Sequence, residues 1–282
     1  MTTALMSGKR GLIMGVANDH SIAWGIARTV AEHGAELAFT YQGEAFGRRV
    51  KPLAESLGAK LCIHCDVEDL DTVDAVFAAL KKEWGDLDFV VHAIAYSDRA
   101  ELKGRYSDTT RENFKRTMVI SCFSFTEIAK RATPLMGKGG SLLTLTFGGA
   151  TRVMPNYNIM GVAKAALEAS VRYLAADFGP ARIRVNALSA GPVRTLAGSG
   201  IANARAMFNY QKRHSALKKS VSLDEIGGAA LYLLSDLSSG VTGGVHFVDA
   251  GYHIMSMPRP GELNNEEENG VELTEAEREA AQ

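Results

Sequence analysis

Apolar positions along the chain fall into short runs separated by longer stretches of helical spacing. Residues 9–16, Lys-Arg-Gly-Leu-Ile-Met-Gly-Val, read as a buried strand, and helical periodicity follows to His33. Further strands are predicted at Glu36 to Thr40, Lys60 to Cys65, Asp88 to Ala95, Ser141 to Thr146, Ile183 to Leu188 and Val245 to Val248. Helical stretches lie at residues 107–136, from Tyr157 to the stop signal Phe178-Gly179-Pro180, and from Asp224 to Leu234. Strands alternating with helices predict an α/β fold, doubly wound on a parallel sheet of about seven strands.

In such a sheet, ligands collect beyond the carboxyl ends of the strands. The first of these ends carries Gly15, which allows a tight turn, and then Ser21 at the start of a helix, a candidate phosphate donor. Backbone N–H groups at that helix start suit a pyrophosphate. The spacing is not G-x-G-x-x-G, so a plain β-α turn remains the competing reading. The second end carries Gln42 where an adenosine ribose is read. Gln42 can bond a ribose hydroxyl but brings no charge for a 2′-phosphate, which favours NADH over NADPH. Asp66, after the third strand, could meet the adenine amino group or cap the helix starting near Leu70. Small residues at Ala93 and Ala95 leave room for a cofactor, and Tyr96 and Ser97 open a loop over it. After the sixth strand, Pro192 and Val193 could close over a nicotinamide and Thr195 could reach a phosphate. Residues 193–220, rich in small residues with Met207, Phe208 and Tyr210 interspersed, suit a flexible substrate lid.

One stretch carries chemistry. Tyr157 and Lys164 stand seven residues apart at the start of a predicted long helix, close to two turns, so both project from one face. A free phenol is a poor acid, with a pKa of about 10, and a neighbouring ammonium makes it a better one. An ordinary amphipathic tyrosine and a solvated lysine are the plain alternative.

Composition narrows the setting. The 282 residues suffice for one large α/β domain, expected over residues 1–258. The formal net charge of −1 hides an asymmetry, because residues 261–282 carry eight Glu against one Arg. Residues 259–282 are expected to be an acidic, disordered tail, which leaves the body basic. No run of about 18 apolar residues exists, nor a signal segment at the N-terminus, so a cytoplasmic protein without a membrane partner is expected. Three cysteines make no disulfide framework, and Cys62 and Cys65 fall on opposite strand faces, so no metal is expected. From Phe178 to Leu223 there is no acidic residue, while Arg182, Arg184, Arg194, Arg205, Lys212, Arg213, Lys218 and Lys219 all occur. These serve cofactor phosphates and surface, or a landing site for an acidic partner. Nucleic acid is disfavoured, since no aromatic-basic interleaving appears.

Together these marks make the chain resemble the short-chain dehydrogenase/reductase superfamily and, within it, the bacterial enoyl-acyl carrier protein reductases, from about Leu5 to Ser256. The marks are Gly15 through Ser21-Ile22-Ala23-x-Gly25-Ile26-Ala27, Phe39-Thr40-Tyr41-Gln42, Cys65-Asp66-Val67, Pro155-Asn156-Tyr157-Asn158, Met160-Gly161-x-Ala163-Lys164, and Ser189-Ala190-Gly191-Pro192-x-Arg194-Thr195-Leu196-Ala197. The resemblance implies a single Rossmann domain that binds NADH and reduces an enoyl thioester on acyl carrier protein, as a homotetramer. It implies cofactor contacts at Gly15, Ser21, Ile22, Gln42, Asp66, Val67, Ile94, Lys164, Val193, Arg194, Thr195, Leu196 and Ala197, a catalytic role for Tyr157 with Lys164, and a substrate contact at Ser97. Phe147, Met160, Ile201 and Met207 are candidates for the acyl wall, against core packing. The family usually has a second tyrosine where Phe147 stands; Phe keeps the aromatic wall but loses the hydroxyl. The common carbonyl reductases of the superfamily use Tyr-x-x-x-Lys, with a Ser thirteen residues before the Tyr. Those positions are Met160 and Phe147 here, and neither donates a proton. Two other readings stay open: a carbonyl or alcohol reductase, and a non-catalytic nucleotide-binding regulator.

Overall fold

The computed structural model describes residues 4–193 and 204–257. Seven parallel strands form one sheet in the order β3-β2-β1-β4-β5-β6-β7. They are β1 (Arg10–Met14), β2 (Glu36–Tyr41), β3 (Leu61–His64), β4 (Phe89–His92), β5 (Gly140–Thr146), β6 (Ile183–Ala190) and β7 (Val245–Val248). The helices are α1 (Ile22–Glu32), α2 (Gly43–Ser56), α3 (Leu70–Glu83), α4 (Arg111–Met118), α5 (Ser124–Ala132), α6 (Asn158–Phe178), α7 (Ala204–His214) and α8 (Leu223–Leu234). The expected fold class and strand number hold.

Alternation along each strand feeds two cores. Ile13, Phe39, Val91, Leu143 and Leu188 join α1, α2 and α8 in one. Leu12, Ala38, Val90, Leu142 and Ala187 join α3, α5 and α6 in the other. Helices on both faces bury both sides of the sheet, as an all-parallel sheet requires. The cysteines follow the pattern: Cys62 packs against the first core and Cys65 lies in the second.

Several boundaries differ from expectation. The first and fourth strands end at Met14 and His92, earlier than the apolar runs do, because the chain turns out of the sheet toward the ligand edge. The helical stretch at 107–136 is composite: α4, a π-helical turn at Val119–Phe123, α5 and a 3-10 turn at Thr133–Leu135. Apolar spacing cannot register a π turn, which widens the helix locally and often marks a functional site. In the expected lid, residues 204–214 form α7, while residues 194–203 lie outside the described region, as does the acidic tail.

Candidate active site

The strand order reverses between β1 and β4, so their carboxyl ends open a crevice there. Gly15 stands at that point with φ +94, and a Cβ on it would lie 2.1 Å from the Ala93 carbonyl oxygen. Only glycine permits both the left-handed turn and the close approach. The Ser21 hydroxyl accepts hydrogen bonds from the Ala17 and Asn18 N–H groups at 3.0 and 3.1 Å. It also donates to Asn18 Oδ1 at 3.3 Å, so in this structure all its bonds lie within the turn, and it makes no side-chain cap bond to α1. The first N–H groups of α1, beginning at Ile22, are left for an anion.

Beside this crevice Gln42 Nε2 donates to Asp66 Oδ2 at 3.0 Å, which joins the ends of β2 and β3. The alternative cap role for Asp66 is corrected: α3 is capped by Asp69, which accepts from the Asp71 N–H at 3.1 Å. Asp66 Oδ1 instead accepts from the Glu68 N–H at 3.0 Å. Val67 is buried, and Ile94 and Val193 are half-buried at the same sheet edge. Arg194, Thr195, Leu196, Ala197 and Ile201 lie outside the described residues.

Tyr157 is not in the helix but at its N-cap, one residue before α6. Asn156 and Asn158 flank it with φ +59 and +38, in the left-handed region that asparagine tolerates best after glycine. Asn158 Nδ2 donates to the Glu101 and Gly104 carbonyls at 3.3 and 3.2 Å, which ties the tyrosine's neighbour to the loop after β4. The phenol ring stands edge-to-face on Phe147, centroids 5.2 Å apart. A Cβ on Gly149 would lie 2.5 Å from the same ring. The ring is held from both sides, and the missing second hydroxyl leaves its aromatic wall in place.

Electrostatics correct one expectation. Burial alone pushes the Tyr157 phenol up, and Lys164 does not pull it down. The phenol stays protonated and serves as a hydrogen-bond donor. Lys164 is itself buried, and its Nζ donates to the Leu145 carbonyl at 2.8 Å. Burial pushes Lys164 down to about 8. Met160 is buried with its sulfur 3.7 Å from Ser121 Oγ, whose hydroxyl donates to the Tyr96 carbonyl at 2.8 Å. The Ser97 hydroxyl is buried and accepts from Thr117 Oγ1 at 3.0 Å. Its side chain is thus committed to α4, and what it can offer a ligand is its backbone. Met207 is half-buried on α7.

The basic segment divides. Arg184 is structural, donating to the Leu233 and Ser235 carbonyls and to Ser238 Oγ at 2.8, 3.1 and 2.6 Å. Lys219 pairs with Glu225. Lys212 and Arg213 are exposed near the end of α7. Sequence reasoning gave no role to Asn158, Gly149 or the buried Glu168. The spacing of Glu168, four residues after Lys164, was legible; the left-handed backbone at Asn158 was not.

A neutral phenol and a buried ammonium at the carboxyl edge of a doubly wound sheet place this chain among the short-chain dehydrogenases/reductases. The comparison is sharper than that. The model of the family described as enoyl-(acyl carrier protein) reductase matches residues 15–253, and the chain belongs to that family. It is 69% identical over 254 residues to enoyl-[acyl-carrier-protein] reductase [NADH] 2 of Rhizobium meliloti (strain 1021), covering 90% of this chain and 95% of that protein. The enoyl-(acyl-carrier-protein) reductase of Anaplasma phagocytophilum, solved in complex with NAD, superposes with a TM-score of 0.88 at 59% identity, over 90% of this chain and 97% of that one. The Bacillus cereus enoyl-acyl carrier protein reductase, solved with NADP+ and an indole naphthyridinone, gives 0.88 at 46% identity, over 90% and 99%.

Proposed function

We propose that this protein uses NADH to reduce the trans-2 double bond of an enoyl thioester carried on acyl carrier protein, in fatty acid synthesis. The observation that carries the reading is the phenol of Tyr157, clamped by Phe147 and Gly149 at the head of the helix that bears Lys164. The residues present fit a dinucleotide: an uncapped helix start at the switch point, a Gln42–Asp66 pair without positive charge at the ribose end, and a buried ammonium. When bound, NADH supplies the hydride that reaches the β carbon of the thioester.

The protein's own groups do the rest. Negative charge builds on the thioester oxygen, and the protonated Tyr157 donates a hydrogen bond that strengthens as that charge grows. Tyr157 or a relayed solvent proton then completes the reduction at the α carbon. Lys164 holds the nicotinamide ribose and keeps the potential positive. Gly15, Ile22, Gln42, Asp66, Val67, Ile94 and Val193 line the cofactor, and Phe147, Met160 and Met207 wall the acyl chain. Following NADH absorbance with a crotonyl thioester tests this directly: rapid oxidation with NADH and slower oxidation with NADPH is expected. Turnover of a β-keto substrate instead would overturn it, and so would tight NADH binding without turnover.

The same reading makes an acyl carrier protein the partner, docking at Lys212 and Arg213 beside the site, and places the enzyme in the cytoplasm. Among the described residues no helix is long and apolar enough to cross a membrane. It also makes the enzyme a homotetramer, a reading supported by the exposed Val119, Phe123, Val162 and Tyr173 on the π turn and α6. Light scattering of the purified protein gives the oligomer mass.

A further inference from the structure

Glu168 is buried, yet neither the cofactor crevice nor the acyl wall uses it. It lies four residues after Lys164 on α6, and such pairs share one helix face with Cβ atoms about 5–6 Å apart. Its Oε1 accepts a hydrogen bond from Thr146 Oγ1 at 2.7 Å. Thr146 is the last residue of β5, and Leu145, just before it, gives its carbonyl to Lys164 Nζ. Two adjacent strand residues thus hold two oppositely charged side chains one helical turn apart. Burying a carboxylate is costly, and a hydroxyl offsets only part of that cost.

The other titratable groups around Lys164 are neutral. From β4 comes His92, held by Thr144 Oγ1 and Ser124 Oγ and pushed down to about 3, first by burial and then by Lys164. From the π turn comes Cys122, whose thiol burial pushes up. Tyr157 stands at the head of α6 with its phenol protonated. Glu168 is the one carboxyl group of the four.

We propose that Glu168 is a positioning residue for the reduction: its carboxylate is the counter-charge that keeps Lys164 an ammonium and so preserves the grip on the nicotinamide ribose. The inference rests on the assignment of Lys164 to that ribose. Burial draws the lysine down to about 8, opposed by Cys122 and by Glu168. Cys122 opposes only as a thiolate, which its raised pKa forbids near neutrality, so the opposition there falls to Glu168.

The sign is definite. Lys164 is charged below about pH 8 and neutral above it, so NADH affinity falls as pH rises through that value. Removing the carboxylate moves the fall to lower pH. Glu168→Gln isolates charge from shape, because the amide oxygen still accepts from Thr146. NADH binding is titrated by fluorescence between about pH 6 and 9, without any enoyl substrate. With a downward shift of about one unit, Glu168→Gln binds NADH about fivefold more weakly than wild type at pH 8 and equally well at pH 6. A uniform loss at every pH means that Glu168 only supports the fold, and an unmoved profile means that it does nothing for Lys164; either overturns the proposal. Lys164→Met separates the two levels. If the alkaline fall persists in Lys164→Met, the lysine assignment fails and the inference with it. If the fall vanishes in Lys164→Met but does not move in Glu168→Gln, the inference alone fails.

Discussion

At the scale of single residues, the proposed chemistry depends on holding one neutral phenol still. Tyr157 sits at a helix cap between two asparagines in left-handed backbone, so helix geometry does not fix it. Phe147 and Gly149 fix it instead. Two substitutions separate its chemistry from its placement. Tyr157→Phe removes the donor and keeps the ring; turnover should fall about 10²–10³-fold, the usual loss for one oxyanion donor, with little change in NADH affinity. Full activity would mean that the donor has been misassigned. Gly149→Ala keeps the hydroxyl but drives a methyl into the ring, so turnover should fall by about 10²-fold through displacement. Wild-type kinetics in Gly149→Ala would show that the ring is not held there. The tyrosine and lysine were legible as a spaced pair. The protonation of the phenol was not, because it follows from burial that a linear pattern does not carry.

At the scale of elements, local chemistry decided most boundaries and tertiary contacts decided the rest. α8 begins where its capping box dictates: Ser222 Oγ accepts from the Glu225 N–H at 3.2 Å and Glu225 returns a bond to the Ser222 N–H at 2.9 Å. α3 shows how two neighbouring aspartates divide labour. Asp69 caps the helix, and Asp66 faces Gln42. Asp69→Ala should therefore cost about 1 kcal/mol of stability in denaturant melts and leave NADH affinity alone. Asp66→Ala should weaken NADH binding severalfold with little change in the melt. Interchange of these two outcomes would reverse the assignment. From sequence only Asp66 is read as a candidate cap; that Asp69 takes the role is decided by the turn that leads out of β3.

At the scale of the whole molecule, all seven strands point their carboxyl ends to one edge, and the order reversal between β1 and β4 opens that edge. Gly15, Gln42 and Asp66 follow β1, β2 and β3 at that edge, and Lys164 donates to Leu145 near the same end of β5. The basic character of residues 178–223 reads differently once folded. Arg184 ties β6 to the end of α8, and Lys219 pairs within the α8 cap, so fewer cations remain for a partner than composition suggests. On the proposed reading, the exposed Lys212 and Arg213 should give carrier-protein substrates a salt-sensitive component. Raising ionic strength from about 0.05 to 0.5 M should increase KM for an enoyl-carrier protein severalfold and leave KM for the coenzyme A thioester nearly unchanged, since screening acts on long-range attraction. Equal salt dependence for the two would remove α7 as a landing site.

The sequence by itself determined the alternation of strands and helices, the parallel sheet, the turn at Gly15, and the seven-residue spacing of Tyr157 and Lys164. These are local: apolar periodicity and the steric freedom of glycine are written residue by residue. Only the tertiary structure decided that Ser21 spends its hydroxyl on its own turn, that Asp69 rather than Asp66 caps α3, that the phenol stays protonated, and that Glu168 lies buried beside the lysine's helix turn. Each of those depends on which groups exclude water from which others, and that is settled by packing between segments far apart in the chain.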